Sequence, residues 1–470
     1  IAISTVWNGI LGVISHPVAA KLSDVFGRPC ILMAALLLVG IGSTIIYSTS
    51  TVEALVAGGM VYNAGRHAVW LMIETILGDM TAIRERIFFL SIPQINDIYS
   101  QWISDLLWKT FHPAYVYTLI FFPWLTLSVF GMPFFILFFV TKKRLSPQLT
   151  AKYEAYRSAH KATGRMLLLP HLFWRLDVPG LVLLTIALGL ALYPLAISRP
   201  VMEKTIFIDP TNLVPFVFGL LCLPAFVLWE IKATHPVLPY KLLYHRSVWG
   251  SIGLLFTFYF IVELQMSYLH TMLVVAFDQE QSTADRVMLL NKVSSAISSL
   301  YIGYVAYGTD YYKSFLVAGT LLSFPILGIA FKWPSGNLPL NLLAMYTVQI
   351  TLGYIEGQFQ APTLAILQGV AGCNETAAVT GLFYTVKQFA VLFARTIAAI
   401  IWRSITFSNL LKENGYQIAY SAVFEPMALI RSFTWGTDGR ENMVKAYATG
   451  SRAITLVGLC LCVLMLFFAL

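Results

Sequence analysis

The chain is predicted to be an all-α polytopic membrane protein, and three observations carry that prediction. Hydrophobic residues fill 58% of its 470 positions and charged residues only 11%, whereas a soluble chain of this length divides into two or three domains with alternating polar faces. Apolar runs of about 20 residues, each able to cross roughly 30 Å of hydrocarbon as a helix, recur along the whole length. The basic residues behind the net charge of +8 fall mostly in the short connections between those runs. There they read as determinants of topology, and no basic patch of nucleic-acid character stands out.

In order, the spans run over 1–18, 30–48, 54–77, 87–108, 115–140, 178–197, 211–231, 248–276, 286–307, 314–331, 338–366, 377–402 and 446–470. Because the sequence opens with Ile inside an apolar run, one further helix is expected ahead of it, for about fourteen in all. The segment 141–176, with Lys142, Lys143, Arg144, Lys152, Arg157, Lys161 and Arg165, is the strongest cytoplasmic mark. It divides an N-terminal helical half, 1–140, from an extra helix pair and loop, 177–247, and a C-terminal half, 248–470. That last half contains a stretch, 403–445, expected to be a long outer loop over the entrance. The five cysteines are scattered without metal-type clustering or a disulfide framework. The sequon Asn374-Glu375-Thr376 falls on the inner side and is expected to be unused.

Between the first two spans lies Ala20-Lys-Leu-Ser-Asp24-Val-Phe-Gly27-Arg28, a tight charged turn. Its spacing resembles the small-x-Leu-x-Asp-x-x-Gly-Arg loop of major facilitator superfamily transporters, with Ala20, Val25 and Pro29 as departures. The resemblance implies the major facilitator fold, a six-plus-two-plus-six helix arrangement, and a substrate site between halves near midplane. It marks Asp24, Gly27, Arg28, Asp79 and Arg86 as a conformational-switch loop.

Further motifs resemble the fungal siderophore-iron transporters of that superfamily. They are Tyr62-Asn-Ala-Gly65 with Gly78-Asp79 and Arg86; Asp177-Val-Pro-Gly180; Trp229-Glu230; Phe258-Tyr259 and Val275-Ala-Phe-Asp-Gln279; Ala378-Val-Thr-Gly381; and Phe424-x-Pro426 with Trp435-Gly-Thr-Asp-x-Arg440. Arg66, His67, Lys387 and Arg395 depart from the small or apolar residues usual there.

Ionisable residues are costly inside hydrocarbon and normally face a protein interior or a hydrated cavity. Helical spacing sorts those present into stripes. One stripe holds Asn63, His67, Trp70 and Glu74, with Arg66 alongside. Others hold Gln94, Asp97, Gln101 and Asp105; Tyr259, Glu263, Ser267 and His270; Gln349, Gly353, Glu356 and Gln360; and Tyr384, Lys387, Gln388 and Arg395, with Lys292 as a further cation. The plain alternative for each is a paired contact between helices or a side chain reaching an interface. The expected substrate contacts are Tyr62, Arg66, Trp70, Tyr259, His270, Tyr384, Lys387, Arg395 and Trp435. The candidate proton carriers are Glu74, Asp97, Glu263 and Glu356, with Glu263 and Glu356 foremost.

No convergent nucleophile-base or metal cluster and no channel filter is visible, so neither an enzyme nor a channel is expected. The resemblance implies a secondary active transporter that imports ferric siderophore chelates with protons, as a monomer in a lipid bilayer, without a bound cofactor. The expected location is the plasma membrane or an endosomal or vacuolar membrane of a fungal cell. An antiporter expelling glutathione, drugs or another small anion is the alternative that the added positive charge fits.

Overall fold

The computed structural model describes residues 2–96, 98, 122–133, 135–136, 168–197, 210–234, 236–237, 245–309, 312–336, 338–371, 375–430 and 433–469. Among these residues the regular structure is helical. The elements are α1 (Ala2–Phe26), α2 (Arg28–Ser48), α3 (Val52–Met80), α4 (Ile83–Ser91), α5 (Leu168–Leu176), α6 (Val178–Ile197), α7 (Pro210–Lys232), α8 (Arg246–Met266), α9 (Leu269–Ala276), α10 (Gln281–Thr309), α11 (Tyr312–Lys332), α12 (Pro339–Ala371), α13 (Thr376–Phe424), α14 (Pro426–Ile430) and α15 (Asp438–Ala469). Short 3-10 and π-helical turns cover Ile92–Ile95 and Leu127–Gly131. Asp97, Asp105, Asn374 and most of the 141–176 linker lie outside the described residues.

Seven helical stretches among the described residues are long and apolar enough to cross a membrane, and the chain is an integral membrane protein. The count of about fourteen spans is visible only in part. The helices α1, α3, α10 and α12 have the length but not the apolar composition. Their polar residues are turned inward: Glu74 and Thr75 on α3, Asn291 and Ser299 on α10, and Gln349, Glu356, Gln358, Gln360 and Gln368 on α12 are buried.

Without a hydrophobic drive between helices in lipid, close packing relies on small residues. Gly353 and Gly357, four apart on α12, lie against the backbone of Asn291, Ser295 and Ser299 on α10, so that a Cβ at either would collide. The hydroxyls of Ser294 and Ser298 then donate across to the carbonyls of Ile350 and Tyr354 at 2.6 and 2.7 Å. On α2 and α3, Gly42 against Tyr62 and Gly65 against Ala35 and Val39 play the same part. The extra pair α6 and α7 leans on α1 through Leu184, Leu188, Leu192 and Phe226 against Val6, Ile10 and Val13.

The helices α1 and α13 run antiparallel. Gly9 packs on Leu392, Gly12 on Gln388, and Gly381 on Ala20. Residues of α13 beyond Leu392 therefore rise toward the end of the bundle opposite the Asp24 turn.

Two segments differ from the sequence expectation. The stretch 403–445 is largely helix and not an extended loop. α13 continues through Phe424 with one break at Gly415, where φ is 78°, and Phe407, Leu410, Ala419 and Ala422 are buried along it. Its apolar residues return at helical spacing and have a core to bury into. The span 248–276 is divided at Ser267–Tyr268, which brings both residues to the rim of a cavity.

Candidate functional site

A cavity of about 810 Å³ lies among α8, α10, α12 and α13, with Val6 of α1 at its side. Its size suits a small-molecule ligand. On α13, Lys387, Val391, Arg395, Ala399 and Arg403 line it at intervals of four, the spacing that keeps one helical face turned to one place. Opposite them stand Tyr259, Glu263, Ser267 and Tyr268, then Asp285 and Lys292 of α10 and Glu356 of α12.

Two ion pairs cross the cavity wall. Arg395 Nε meets Glu263 Oε1 at 2.5 Å, and Lys292 Nζ meets the two oxygens of Glu356 at 3.2 and 3.3 Å. Glu356 is only 3% exposed while Lys292 is 47% exposed. In the amide orientation that satisfies both its ends, Asn291 donates to Glu356 Oε2 at 3.2 Å. Both of the foremost proton-carrier candidates are therefore held by cations.

The floor is a different network, shared between the two halves. Lys387 Nζ sits 4.1 Å from the Tyr259 ring centroid and donates to Gln360 Oε1 at 3.3 Å. The Tyr259 hydroxyl donates to the same oxygen at 2.8 Å. From the first half, the Trp70 indole donates to the Tyr384 hydroxyl at 2.5 Å. His16 of α1 stacks on the Tyr384 ring at 5.2 Å and meets His67 edge-on at 4.9 Å. Glu74, 1% exposed, lies within reach of the Tyr384 hydroxyl, the Trp70 indole and the Gln360 amide, and within the field of Lys387. Its Oε2 has no aligned hydrogen-bond partner among the described residues.

At the end carrying the Asp24 turn the described helices are packed together. Arg28 joins Asp24 at 2.5 Å and Asp79 at 3.2 Å, pinning the α1–α2 turn to the end of α3. Gly27 between them has φ of 93°, a conformation that a side chain would strain. Gly78 faces the Gln368 amide, Gly303 faces Phe88, and Arg84 donates to the Tyr307 carbonyl at 3.1 Å. These contacts bring α3 and α4 against α12 and α10. The cavity lies toward the other end and reaches up to Arg403.

Of the residues singled out by sequence, Tyr259, Glu263, Glu356, Lys387 and Arg395 line the cavity, and Trp70, Glu74 and Tyr384 lie at its floor. Tyr62 packs on Gly42 and Arg66 is exposed on α3, away from the cavity lining. His270 stands behind the wall, 3.4 Å from Asp285. Trp435 lies over the guanidinium of Arg440 at 5.7 Å and is not among the lining residues. Arg86 is buried and donates to the Thr81 carbonyl at 3.1 Å, separate from the Arg28 pairs. The sequence reading overlooked His16, Asp285 and Arg403. Arg403 carried a signal, since it continues the spacing of Lys387 and Arg395 by two further turns. His16 did not, because a lone histidine in an apolar helix is common.

Among the described residues no group of histidines, cysteines and carboxylates could hold a metal ion, and Cys30, Cys222, Cys460 and Cys462 form no disulfide.

No family model matches the chain. Siderophore iron transporter ARN1 of Saccharomyces cerevisiae is 28% identical over 472 residues, covering 98% of this chain and 74% of its own. ARN2 of the same yeast is 29% identical over 451 residues, covering 93% and 71%. Siderophore iron transporter 1 of Schizosaccharomyces pombe is 26% identical over 467 residues, covering 96% and 72%. Among solved structures, the human organic anion transporter MFSD10 aligns with a TM-score of 0.45 at 11% identity, covering 98% of this chain and 83% of that one. Over nearly its whole length, the chain is similar to the siderophore iron transporters of fungi.

Proposed function

We propose that this chain is a secondary active transporter importing ferric siderophore chelates with protons, as a monomer in a plasma, endosomal or vacuolar membrane of a fungal cell. The observation that carries this reading is a cavity with a cationic stripe, Lys387, Arg395 and Arg403, set toward the end away from the Arg28 ion pairs among the described residues. With basic loops on the cytoplasmic side, that cavity faces the outside or a lumen. A ferric chelate offers oxygen-rich, anionic or strongly polar edges to those cations and flat surfaces to Tyr259 and Tyr268. The iron enters as cargo inside its chelator.

Proton coupling requires a carboxylate that changes protonation as the cavity changes sides. Glu263 and Glu356 are each already held in an ion pair by a cation. Glu74 supports the role better. It is buried where α3 of one half meets α12 and α13 of the other, and rocking of the halves alters its distance to Lys387.

The cationic stripe also suits an exported peptide anion such as glutathione, and the direction in which the solute moves separates the two, because protons enter in symport and antiport alike. Cells producing the full-length protein, and lacking other carriers, are offered a panel of labelled ferric chelates while external pH is followed. Uptake of at least one chelate with alkalinisation of the medium is expected. Loss of internal glutathione with no chelate uptake overturns the import reading.

A further inference from the structure

The break between α8 and α9 has no cause in its local sequence. Tyr268 there has φ of −121° and ψ of 7°, outside the helical range. Helices are interrupted at proline, at glycine, or where a side chain or a water enters the backbone ladder, and the stretch from Phe260 to Ala276 contains neither proline nor glycine. The Ser267 hydroxyl donates to the Glu263 carbonyl at 2.6 Å, a contact that bends helices. It leaves the ladder intact at that point, because the Ser267 backbone N–H still donates to the same carbonyl at 3.0 Å.

Beside the break lies a small cavity of about 30 Å³, lined by Gln265 of α8, Leu269 and Met272 of α9, Gln349 of α12 and Ser451 of α15. Tyr268 lines both this cavity and the central one. Gln265 Oε1 accepts from the Thr455 hydroxyl at 3.3 Å, while its Nε2 is buried without a hydrogen-bond partner among the described residues. Gln349 is 1% exposed, and its Oε1 is likewise unpartnered among them. A donor and an acceptor from two helices thus belong to one cavity. Leaving a buried amide end unpaired is costly.

We propose that this cavity is a site for one ordered water, bonded to Gln265 Nε2 and Gln349 Oε1, and that this water sustains the break between α8 and α9. A water needs roughly 10–15 Å³ of such space and typically makes about three hydrogen bonds, and Ser451 adds a third polar residue to the wall. The two amide ends select the ligand. Water accepts from the Gln265 amide and donates to the Gln349 carbonyl. A cation is repelled by the first and an anion by the second, and an apolar group leaves both unsatisfied. Because the break turns Ser267 and Tyr268 to the rim of the central cavity, the water shapes that rim without touching what binds there.

The test uses the full-length protein without any chelate, so it does not depend on the transported substrate. In a density map that resolves ordered waters, one is expected at about 2.7–3.2 Å from both amide ends. A cavity without such a peak, or amide ends paired to protein groups, overturns the site. Tm supplies a second measurement, whose sign separates the cases. With the water present, the near-isosteric Gln349→Met strips it of one partner and should lower Tm by about 2–4 °C. Without it, the same variant removes an unsatisfied acceptor and raises Tm, so a rise or no change overturns the proposal. The double variant Gln265→Met/Gln349→Met leaves neither amide end to satisfy, and its loss should be smaller than the sum of the two single losses. Additive losses overturn the bridge, and a map of the double variant in which Tyr268 keeps the same break overturns the water's part in sustaining it. Should the variants fail to fold, the wild-type map decides the matter.

Discussion

The two ends of the bundle are built from different materials. At the Asp24 end, helices of the two halves meet through glycines: Gly381 on Ala20, Gly78 on Gln368, Gly303 on Phe88. The Arg28 pairs then fix the adjoining turn. At the opposite end α8, α10 and α13 carry long charged side chains, Glu263, Lys292, Arg395 and Arg403, around the cavity. Small residues make a seam that can close without ordering many side chains, whereas long polar ones make a surface that stays wet until a ligand replaces the water. The floor network around Glu74 and Tyr384 lies between the two and touches both halves.

The largest expected effect comes from the floor. Glu74→Gln keeps shape and removes the titration, so proton-driven accumulation should fall by tenfold or more while counterflow exchange of labelled for unlabelled chelate persists. Glu263→Gln and Glu356→Gln should retain measurable pH-driven accumulation. If Glu74→Gln accumulates normally, the proton site belongs elsewhere.

Next comes the closed seam. A Cβ at Gly78 already meets the Gln368 amide oxygen at 2.5 Å, so Gly78→Leu should cost the closed seam about 1–3 kcal/mol and shift the population by up to roughly a hundredfold. Ser23, fully buried at that end, reports it. A Ser23→Cys reporter should react faster with a polar thiol reagent in the Gly78→Leu background, and an unchanged rate removes this contact from the seam.

At the open end, Lys387→Met removes one charge-assisted contact and should weaken chelate binding by about tenfold, measured as Kd in detergent at constant ionic strength. Unchanged affinity would confine Lys387 to its contacts with Gln360 and Tyr259. The smallest effect is expected from Arg28→Ala. Its pairs are 23–33% exposed, so the loss is about 0.5–1 kcal/mol, a two- to fivefold change in the same thiol-labelling rate. A change as large as that of Gly78→Leu would mean that the ion pairs, and not the glycines, hold this end.

The sequence by itself determined the membrane class, the helical spans and the periodic stripes, because a low-dielectric solvent leaves little choice. Backbone groups must be satisfied within helices, and ionisable residues such as Glu74, Glu263, Glu356, Lys387 and Arg395 must turn inward. Periodicity therefore reports which face is wet. It cannot report what stands across from that face, and this is what tertiary structure decided. Spacing put Glu263 and Glu356 foremost as candidate proton carriers, but only the tertiary structure placed Arg395 and Lys292, far away in sequence, beside them. Glu74 gained its place at the floor only when α3 met α12 and α13. Trp435, drawn toward the substrate by its motif, instead covers Arg440, and the polar-looking stretch beyond Trp402 became helix because Phe407, Leu410, Ala419 and Ala422 found a core to enter. Local composition sets the cost of burying each residue, but pairing and exposure depend on helices brought together from distant parts of the chain.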